Sequence, residues 1–452
     1  MTSETTDPLA GLDAIDWAGL EHAYGDADDV PALLRALGGP EETERRRALH
    51  ALYGNIFHQG SRYPASAAAV PFLARLATDP GRDGRSGRSI RNGRADVVRL
   101  LASLAIGYDE AHLPDGIDIA RMRHERAEFA AQDPAAVLAE MDAWVAAAPD
   151  EGERRVREFR RSLFDVEDHL GSMDSELAAY DAVRAELPAL SVLLEDEDAE
   201  VRATTAYLLA WFPEEAARTL PRLLALLDDA VDRAGGVAGL GDEQPAAAVT
   251  ASALVAAGLL GGPGLVPRLR PFLGAAGRLP RWAAAVALAR LGTLDGASGD
   301  GPAGDGPTDD GVPTAAVLAE LAAAEAAPPE PGPPLLDFHD GDLRGYAALS
   351  LTQLSSTHPG ETLDAVTDGL ARSSGISAFA VTAAALSLAF PTRPTPLPAF
   401  TALDERQQRL IRVLADLDAS TWQWGNFLEI LRSWALPRDP PAMRAYAGLP
   451  DA

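Results

Sequence analysis

The stretch Leu187–Phe212, LPALSVLLEDEDAEVRATTAYLLAWF, carries the pattern that decides the fold. Leucines first recur at the spacing of one helical face, at Leu187, Leu190, Leu193 and Leu194. Residues 195–200 are mostly acidic and suit a turn. A second apolar face then follows at Val201, Ala206, Leu208, Leu209 and Trp211, and Pro213 lies just beyond it. The stretch therefore predicts two helices that are joined by a short acidic turn.

Parts of this pattern recur along the chain. Comparable first helices are expected to begin near Pro31, Pro71, Pro188, Pro221 and Pro267, since proline is tolerated in a first helical turn. The intervals between these prolines are 40 residues (31 to 71), 33 residues (188 to 221) and 46 residues (221 to 267). These intervals resemble the period of paired-helix repeats, roughly 33 to 47 residues. Each second helix has an arginine directly after the apolar residue that begins its apolar face. We interpret the following residues as a structural ladder between repeats: Arg99, Asp198, Arg202, Arg281, Asp340 and Arg344.

At these residues the chain resembles HEAT repeats, particularly the HEAT-like repeats first named from phycobiliprotein lyases and present in bacterial HEAT repeat domain-containing proteins. The resemblance covers most of the chain between Asp16 and Leu436. It implies an all-α fold, an α-solenoid in which antiparallel helix pairs form a superhelix with a concave binding surface. Proteins of this kind are usually scaffolds or adaptors. The bilin chemistry of the lyases is not implied, because no matching active-site motif is visible.

The composition favours helices and argues against several classes of partner. Hydrophobic residues make up 47% of the chain and aromatic residues only 6%, so alanine and leucine dominate the apolar content. The net charge is 39 − 67 = −28, which disfavours nucleic acid and anionic membranes as partners. Cysteine is absent, which excludes disulfides and thiolate metal sites. The polar start, Met1–Leu9, is unlike a signal peptide, and we expect a cytoplasmic protein.

Charged and Gly/Pro-rich segments interrupt the repeats. The segment after Tyr108 is rich in arginine and glutamate, and helices are expected within it at Ala135–Ala148 and Glu151–Ser162. The expected organisation is a disordered N-terminus at 1–12, HEAT-like repeats at 13–107, a charged helical insertion at 108–180, central repeats at 181–294, flexible linkers around a short helix at 295–334, C-terminal repeats and a cap at 335–440, and a tail at 441–452.

The most unusual polar cluster lies between Tyr53 and Tyr63, where a helix is expected to end and a loop to begin. These side chains offer hydrogen-bond donors and acceptors and one possible proton carrier, His58. One interpretation is that they cap helix ends; the other is that they bind a partner or ligand. The candidate residues are Asn55, His58, Gln59, Arg62 and Tyr63.

Two further clusters contain candidate binding residues. His339 and Asp342 stand out because neighbouring Asp340 and Arg344 already fit the ladder. Near the C-terminus, Trp422 and Trp424 are two residues apart and cannot share one helix face, so one is expected inside and one exposed. Asn426 follows them, and a role of this cluster in capping the last repeat is the alternative to binding.

The sequence favours a binding protein over an enzyme. No known catalytic motif fits its context, and neither a cofactor nor a metal site is expected. The leading hypothesis is a scaffold or adaptor that binds another protein with the concave face of the solenoid. The alternative is a small-ligand-binding protein or lyase-like enzyme with a polar site around Asn55, His58 and Arg62. The oligomeric state is left open, and a monomer is compatible with the sequence.

Overall fold

The chain is all-α apart from two very short β-hairpins in the part that the structure describes. The computed structural model describes residues 7–79, 91–297, 314–327, 336–394 and 396–450. Most of the expected linker region, 295–334, and the first half of the expected disordered N-terminus therefore lie outside the described residues. The chain divides into two compact units, one comprising 1–109 and 117–201, the other 110–116 and 202–452.

The first unit begins with the hairpins and ends with a long helix. Its strands are β1 (Glu21–His22), β2 (Gly25–Asp26), β3 (Phe57–His58) and β4 (Ser61–Arg62). Its helices are α1 (Val30–Gly38), α2 (Glu42–Asn55), α3 (Pro64–Thr78), α4 (Arg91–Ile106), α5 (Ile119–Ala130), α6 (Pro134–Ala146), α7 (Glu151–Ser162) and α8 (Val166–Leu190).

Helix α3 is central to the core of the first unit. It packs against α1, α4 and α8, and its buried face includes Ala69, Val70, Leu73 and Leu76. Helices α6 and α7 pack on each other and correspond to the two helices expected in the charged insertion. The aspartates Asp133 and Asp150 cap the N-termini of these two helices through their side chains, which explains where each begins.

The second unit contains the remaining helices, which contact their neighbours along the chain. They are most of α9 (Ala199–Leu209), then α10 (Ala216–Ala234), α11 (Ala246–Leu260), α12 (Val266–Leu269), α13 (Arg278–Ala297), α14 (Thr314–Ala326), α15 (Leu343–Thr352), α16 (Pro359–Leu370), α17 (Ala378–Ala389), α18 (Glu405–Ala415), α19 (Gly425–Ser433) and α20 (Pro440–Tyr446). Helix α14 is the short helix that was expected between linkers, and α20 lies partly in the expected tail.

Small residues bring α11 and α13 unusually close. A Cβ on Gly258 would lie 2.6 Å from both the Cα and the Cβ of Ala287, which is too near for two carbon atoms. Ala283, Ala284 and Val286 are also buried on α13. Alanine-rich faces let helix axes approach closely, and this explains why the most apolar stretch of the chain, α11, is a buried helix. Within the described residues, no helix has the length and apolar character that crossing a membrane requires.

The stretch 187–212 forms two helices with a turn between them, but the first helix is longer than expected. Helix α8 begins at Val166 and continues through Leu190 into a 3-10 turn, Ser191–Glu195. Helix α9 begins at Ala199, where the Asp198 carboxylate accepts the backbone N–H of Glu200 at 2.9 Å. The expected insertion and the expected central repeats are thus joined by one continuous helix.

The expectation that helices begin near Pro71, Pro188 and Pro221 is wrong. These prolines lie inside α3, α8 and α10, whereas Pro31 and Pro267 do lie in first turns. An interior proline costs about 3 kcal/mol because one hydrogen bond is lost. The residues before each proline are good helix formers or lie on the buried face of the helix. Ala69 and Val70, for example, are buried just before Pro71, and the free energy gained by such burial offsets the cost of the proline.

A glutamate is buried among α14, α15 and α16. Glu325 is fully buried, and neither of its carboxylate oxygens has a hydrogen-bond partner among the residues that the structure describes. A Cβ at Gly369 on α16 would overlap this carboxylate. Burial raises the pKa of Glu325 well above its ordinary value, and the nearby Arg344 opposes this only in part. The Glu325 side chain is therefore held in the protonated form well above the pH at which an exposed glutamate ionises.

Candidate functional site

The hairpin of β3 and β4 replaces the loop that was expected between Tyr53 and Tyr63, and the hairpin of β1 and β2 lies beside it. In the second hairpin His58 pairs with Ser61, and the turn between them consists of Gln59 and Gly60. Both turn residues have positive φ, 52° and 86°, as hairpins of this length favour. A Cβ on Gly60 would lie 2.8 Å from the Tyr108 ring, so glycine is required here for space as well as for conformation.

Asn55, the last residue of α2, connects the two hairpins. Its backbone carbonyl accepts the N–H of Ala23, which lies in the turn of the first hairpin. Its side-chain Nδ2 donates to Asp29 Oδ2 at 2.7 Å, and Asp29 Oδ1 lies 3.0 Å from His22 Nε2. Because His22 Nδ1 accepts the N–H of Tyr24, the neutral His22 ring carries its proton on Nε2 and donates it to Asp29. This network holds the first hairpin against the second.

Tyr24 and His58 meet at the tips of the hairpins. The Tyr24 hydroxyl lies 3.3 Å from His58 Nδ1, within hydrogen-bond distance, and the two rings meet edge to face at 5.4 Å. Tyr24 is nevertheless 69% exposed. Tyr63 lies close by; partial burial raises its pKa, a hydrogen bond from Ser61 acts in the opposite direction, and Tyr24 adds a smaller upward contribution.

Tyr108 completes the exposed surface. It is 54% exposed, lies over Gly60 and contacts the ring of Phe57 edge to face at 5.6 Å. We call the set Tyr24, His58, Gln59, Tyr63 and Tyr108 the twin-hairpin surface. It combines three tyrosines with one histidine and one amide, all on short hairpins or directly beside them.

Arg62 supports the second hairpin from below. It is buried, donates from Nη1 to the Gly60 carbonyl, and its Nη2 lies 3.4 Å from Glu176 Oε2 on α8. Burial lowers the pKa of Arg62, and the Glu176 carboxylate opposes that shift. Of the five residues expected in this cluster, Arg62 is thus placed in the interior and Asn55 in the connecting network. His58, Gln59 and Tyr63 lie on the twin-hairpin surface.

His339 and Asp342 belong to the second unit, near the N-terminus of α15. His339 is buried in a 3-10 turn, Phe338–Gly341, and its φ of 53° lies in the left-handed region, as does that of Asp340 at 49°. The Asp342 carboxylate accepts the N–H of Gly345 at 2.9 Å and so caps α15. Phe338 joins a buried aromatic cluster with Tyr207, Trp211 and Tyr346. Both candidates therefore lie at the N-terminal end of α15, where the surrounding side chains are packed.

The C-terminal tryptophans face different environments, as their spacing predicts. Trp422 is buried and contacts Phe427 edge to face at 5.2 Å. Trp424 is 45% exposed and rests against Phe379 at 6.3 Å between ring centroids. Asn426 lies in the first turn of α19 and is exposed.

The arginines of the expected ladder bond to several kinds of acceptor. Arg281 pairs with Glu320 at 3.1 Å and also donates to the Ala275 carbonyl, and Arg99 lies near Glu200 at 3.6 Å. Arg344 donates to the carbonyls of Ala327 and Arg372 rather than to Asp340. Arg202 lies in the first part of α9. Arg281 and Arg99 thus lie near carboxylates of other helices, Arg99 also pairs with Asp96 on its own helix, and Arg344 binds carbonyls at helix ends.

Five residues of the site and its support were missed from the sequence because they lie far from the Tyr53–Tyr63 segment. They are His22, Tyr24, Asp29, Tyr108 and Glu176. The two hairpins share one sequence signal, a histidine followed within three residues by a glycine, at His22 and Gly25 and at His58 and Gly60. No comparable signal marks Tyr108 or Glu176.

Among the described residues, no group of three or more histidine and acidic side chains is arranged to hold a metal ion. The sequence matches no protein-family model, and neither a curated protein nor a solved structure was found to be similar to it.

Proposed function

We propose that the chain is a protein-binding scaffold or adaptor of the cytoplasm, that its helix pairs form a HEAT-like solenoid, and that the twin-hairpin surface belongs to its contact surface. The observation that carries the proposal is the placement of Tyr24. Its ring is 69% exposed although its hydroxyl is within hydrogen-bond distance of His58. An aromatic side chain that is exposed and yet held in position is suited to anchor an interface, because little entropy is lost on binding.

The neighbouring residues support binding of a protein. Tyr108 is also largely exposed, and Tyr63 and Gln59 add polar groups beside it. Tyrosine with small or amide side chains is typical of adaptable protein-binding surfaces. The hairpins supply a rigid support, since Asn55 bonds to both Ala23 and Asp29.

The same geometry argues against a catalytic site around Asn55, His58 and Arg62. Arg62 is buried under the hairpin and engaged by Glu176, and the Asn55 side chain is committed to Asp29. His58 Nδ1 faces a tyrosine hydroxyl, not a carboxylate that would orient the ring for proton transfer. Asn55 and Arg62 are therefore engaged by carboxylates of the protein itself, which supports a structural role for both.

The proposal is tested by affinity capture from the lysate of the source organism. The full chain is compared with Tyr24→Ala and Tyr108→Ala, and Ile376→Ala, which also changes an exposed apolar residue, is the control. We expect one stoichiometric protein partner whose recovery falls about tenfold in the tyrosine variants, the effect of losing an anchor of about 1.4 kcal/mol. Equal recovery with all variants would remove the twin-hairpin surface from the proposal. A small molecule that co-purifies and is lost in His58→Ala would replace the protein-binding function by a ligand-binding one.

A further inference from the structure

Helix α7 exposes its apolar face. Val156, Phe159 and Leu163 recur at spacings of three and four residues and therefore share one side of the helix and its C-cap. They are 41%, 63% and 71% exposed, respectively. An amphipathic helix normally buries such a stripe against its neighbours. Among the described residues, no residue of α7 is buried.

The charged side of α7 faces α6 instead. The Arg157 guanidinium lies 4.9 Å from the centre of the Trp144 ring and also donates to the Trp144 carbonyl at 2.6 Å. Arg157 Nε donates to Glu153 at 3.0 Å, and Arg161 Nε donates to Asp142 at 2.7 Å. Turning the apolar stripe towards α6 would break the contacts of Arg157 with Trp144 and of Arg161 with Asp142. The orientation that exposes Phe159 is therefore set by the arginines of the opposite side.

The apolar stripe has a basic border in an acidic protein. Helix α7 contains five arginines and three glutamates, so its side-chain charge is 5 − 3 = +2, whereas the whole chain has −28. Arg155 lies one turn before Phe159, and Arg160 lies one turn after Val156. Glu151 and Glu158 both lie within 4 Å of Arg154, and Glu151 Oε1 also lies 3.9 Å from Arg155 Nε, so part of the arginine border is paired within the helix.

We propose that the α7 face, defined as Val156, Phe159 and Leu163 with Arg155 and Arg160, docks an acidic amphipathic helix of a partner protein. An apolar stripe with carboxylates on both sides matches this face in shape and in charge. The proposal rests on the protein-binding function proposed above but does not depend on the twin-hairpin surface.

The charge pattern argues against the other occupants. A second copy docked by the same face would place the arginine border of one α7 beside that of the other. An anionic membrane would attract α7 but repel a chain of net charge −28. An acidic helix is small enough to contact α7 alone, so that its carboxylates meet the arginine border while the acidic remainder of the chain is screened by salt.

The test uses two synthetic helical peptides of about three heptads, both with leucine at the a and d positions. One has glutamate at the flanking positions and the other has lysine there. Each carries a fluorescent label and is titrated with the full chain, and binding is measured by anisotropy. The variants are Phe159→Ser and Arg155→Glu combined with Arg160→Glu, and Ile376→Ser is the control at another exposed apolar residue. Circular dichroism confirms that each variant keeps its helix content.

We expect the full chain to bind the acidic peptide at least about tenfold more tightly than the basic one, with a difference that shrinks at about 0.5 M salt. Phe159→Ser should weaken binding of the acidic peptide about tenfold, and the double arginine variant should abolish the preference for it. Ile376→Ser should change neither.

Three outcomes would overturn the proposal. They are equal binding of the two peptides, binding that Phe159→Ser leaves unchanged, and displacement of the acidic peptide by a second copy of the chain or by phosphatidylserine vesicles. Each of these concerns the α7 face alone. If the recovery of a partner captured from lysate is unchanged by Tyr24→Ala, that result counts instead against the twin-hairpin surface. The failure of one proposal is therefore distinguishable from the failure of the other.

Discussion

Asn55 Nδ2 donates a 2.7 Å hydrogen bond to Asp29 Oδ2, and this bond joins the end of α2 to the residue that precedes α1. The same carboxylate accepts from His22, so a single aspartate links the first hairpin to the helix that leads into the second. The relative position of Tyr24 and His58 depends on this link, because each side chain extends from a different hairpin.

Asn55→Ala should destabilise the chain modestly and disturb the first hairpin. The lost bond has a charged acceptor, but Asp29 is about half exposed, so we expect about 1 kcal/mol less unfolding free energy. Urea denaturation measures this change. Asn426→Ala removes an exposed asparagine elsewhere and is the matched control. If both variants unfold at the same urea concentration, the link between the hairpins does not contribute to stability.

Gly60→Ala should destabilise the second hairpin and displace Tyr108. The residue has a φ of 86°, and an added Cβ would lie 2.8 Å from the Tyr108 ring. We expect a loss of about 1–3 kcal/mol, measured by thermal and urea unfolding. Gly171→Ala, in the second turn of α8, where no described atom lies within 4 Å of the added Cβ, should instead stabilise by about 0.5–1 kcal/mol. Equal effects of the two substitutions would contradict the turn geometry described here.

The stability of the chain should decrease as the pH rises above the ordinary pKa of glutamate. Burial raises the pKa of Glu325 in the folded chain, so below its ordinary pKa the carboxyl group is protonated in both states and its contribution is fully present. At higher pH the unfolded chain releases this proton while the folded chain retains it. The stabilising contribution of Glu325 therefore falls steadily as the pH rises, up to the pKa of Glu325 in the folded chain. Urea unfolding between about pH 5 and about pH 8 measures this slope.

Glu325→Gln should remove that part of the slope and leave a chain that is more stable than the native one at the upper end of the range. Glu320→Gln, on the same helix, removes a carboxylate beside Arg281 at the surface and controls for the change in net charge. A slope that is the same for the native chain and Glu325→Gln would show that Glu325 does not retain a proton on folding.

Gly258→Ala should destabilise the second unit by separating α11 from α13. The new Cβ would lie 2.6 Å from Ala287, where backbone atoms have to move. We expect a net loss of about 1–3 kcal/mol even though alanine favours the helix more than glycine does. Gly171→Ala is again the control. A stable Gly258→Ala variant would mean that the two helices tolerate a wider spacing.

The helical class of the chain was predictable because apolar residues recur at helical spacing, and the helix expected at Glu151–Ser162 is α7. That Asp150 caps it was seen only in the structure. That some prolines lie inside helices was not predictable. The rule that favours proline in a first turn takes no account of the burial of residues such as Ala69 or Val70, which lets α3 continue through Pro71. The hairpins were missed because strands of two residues have no periodicity. His58 and Gln59 stood out as polar residues, but their neighbour Tyr24 is 34 residues away and only folding brings it near.

Trp144 gives the molecule an optical probe that needs no label. Its indole is on α6 and lies beneath the guanidinium of Arg157, on the side of α7 opposite to the α7 face, and it remains partly open to water. The other tryptophan of the first unit, Trp17, is buried, so a separation of α7 from α6 would alter the emission of Trp144 while Trp17 keeps its own. With Trp17 and the tryptophans of the second unit replaced by phenylalanine, the wavelength of the remaining fluorescence would report whether α6 and α7 stay packed on each other.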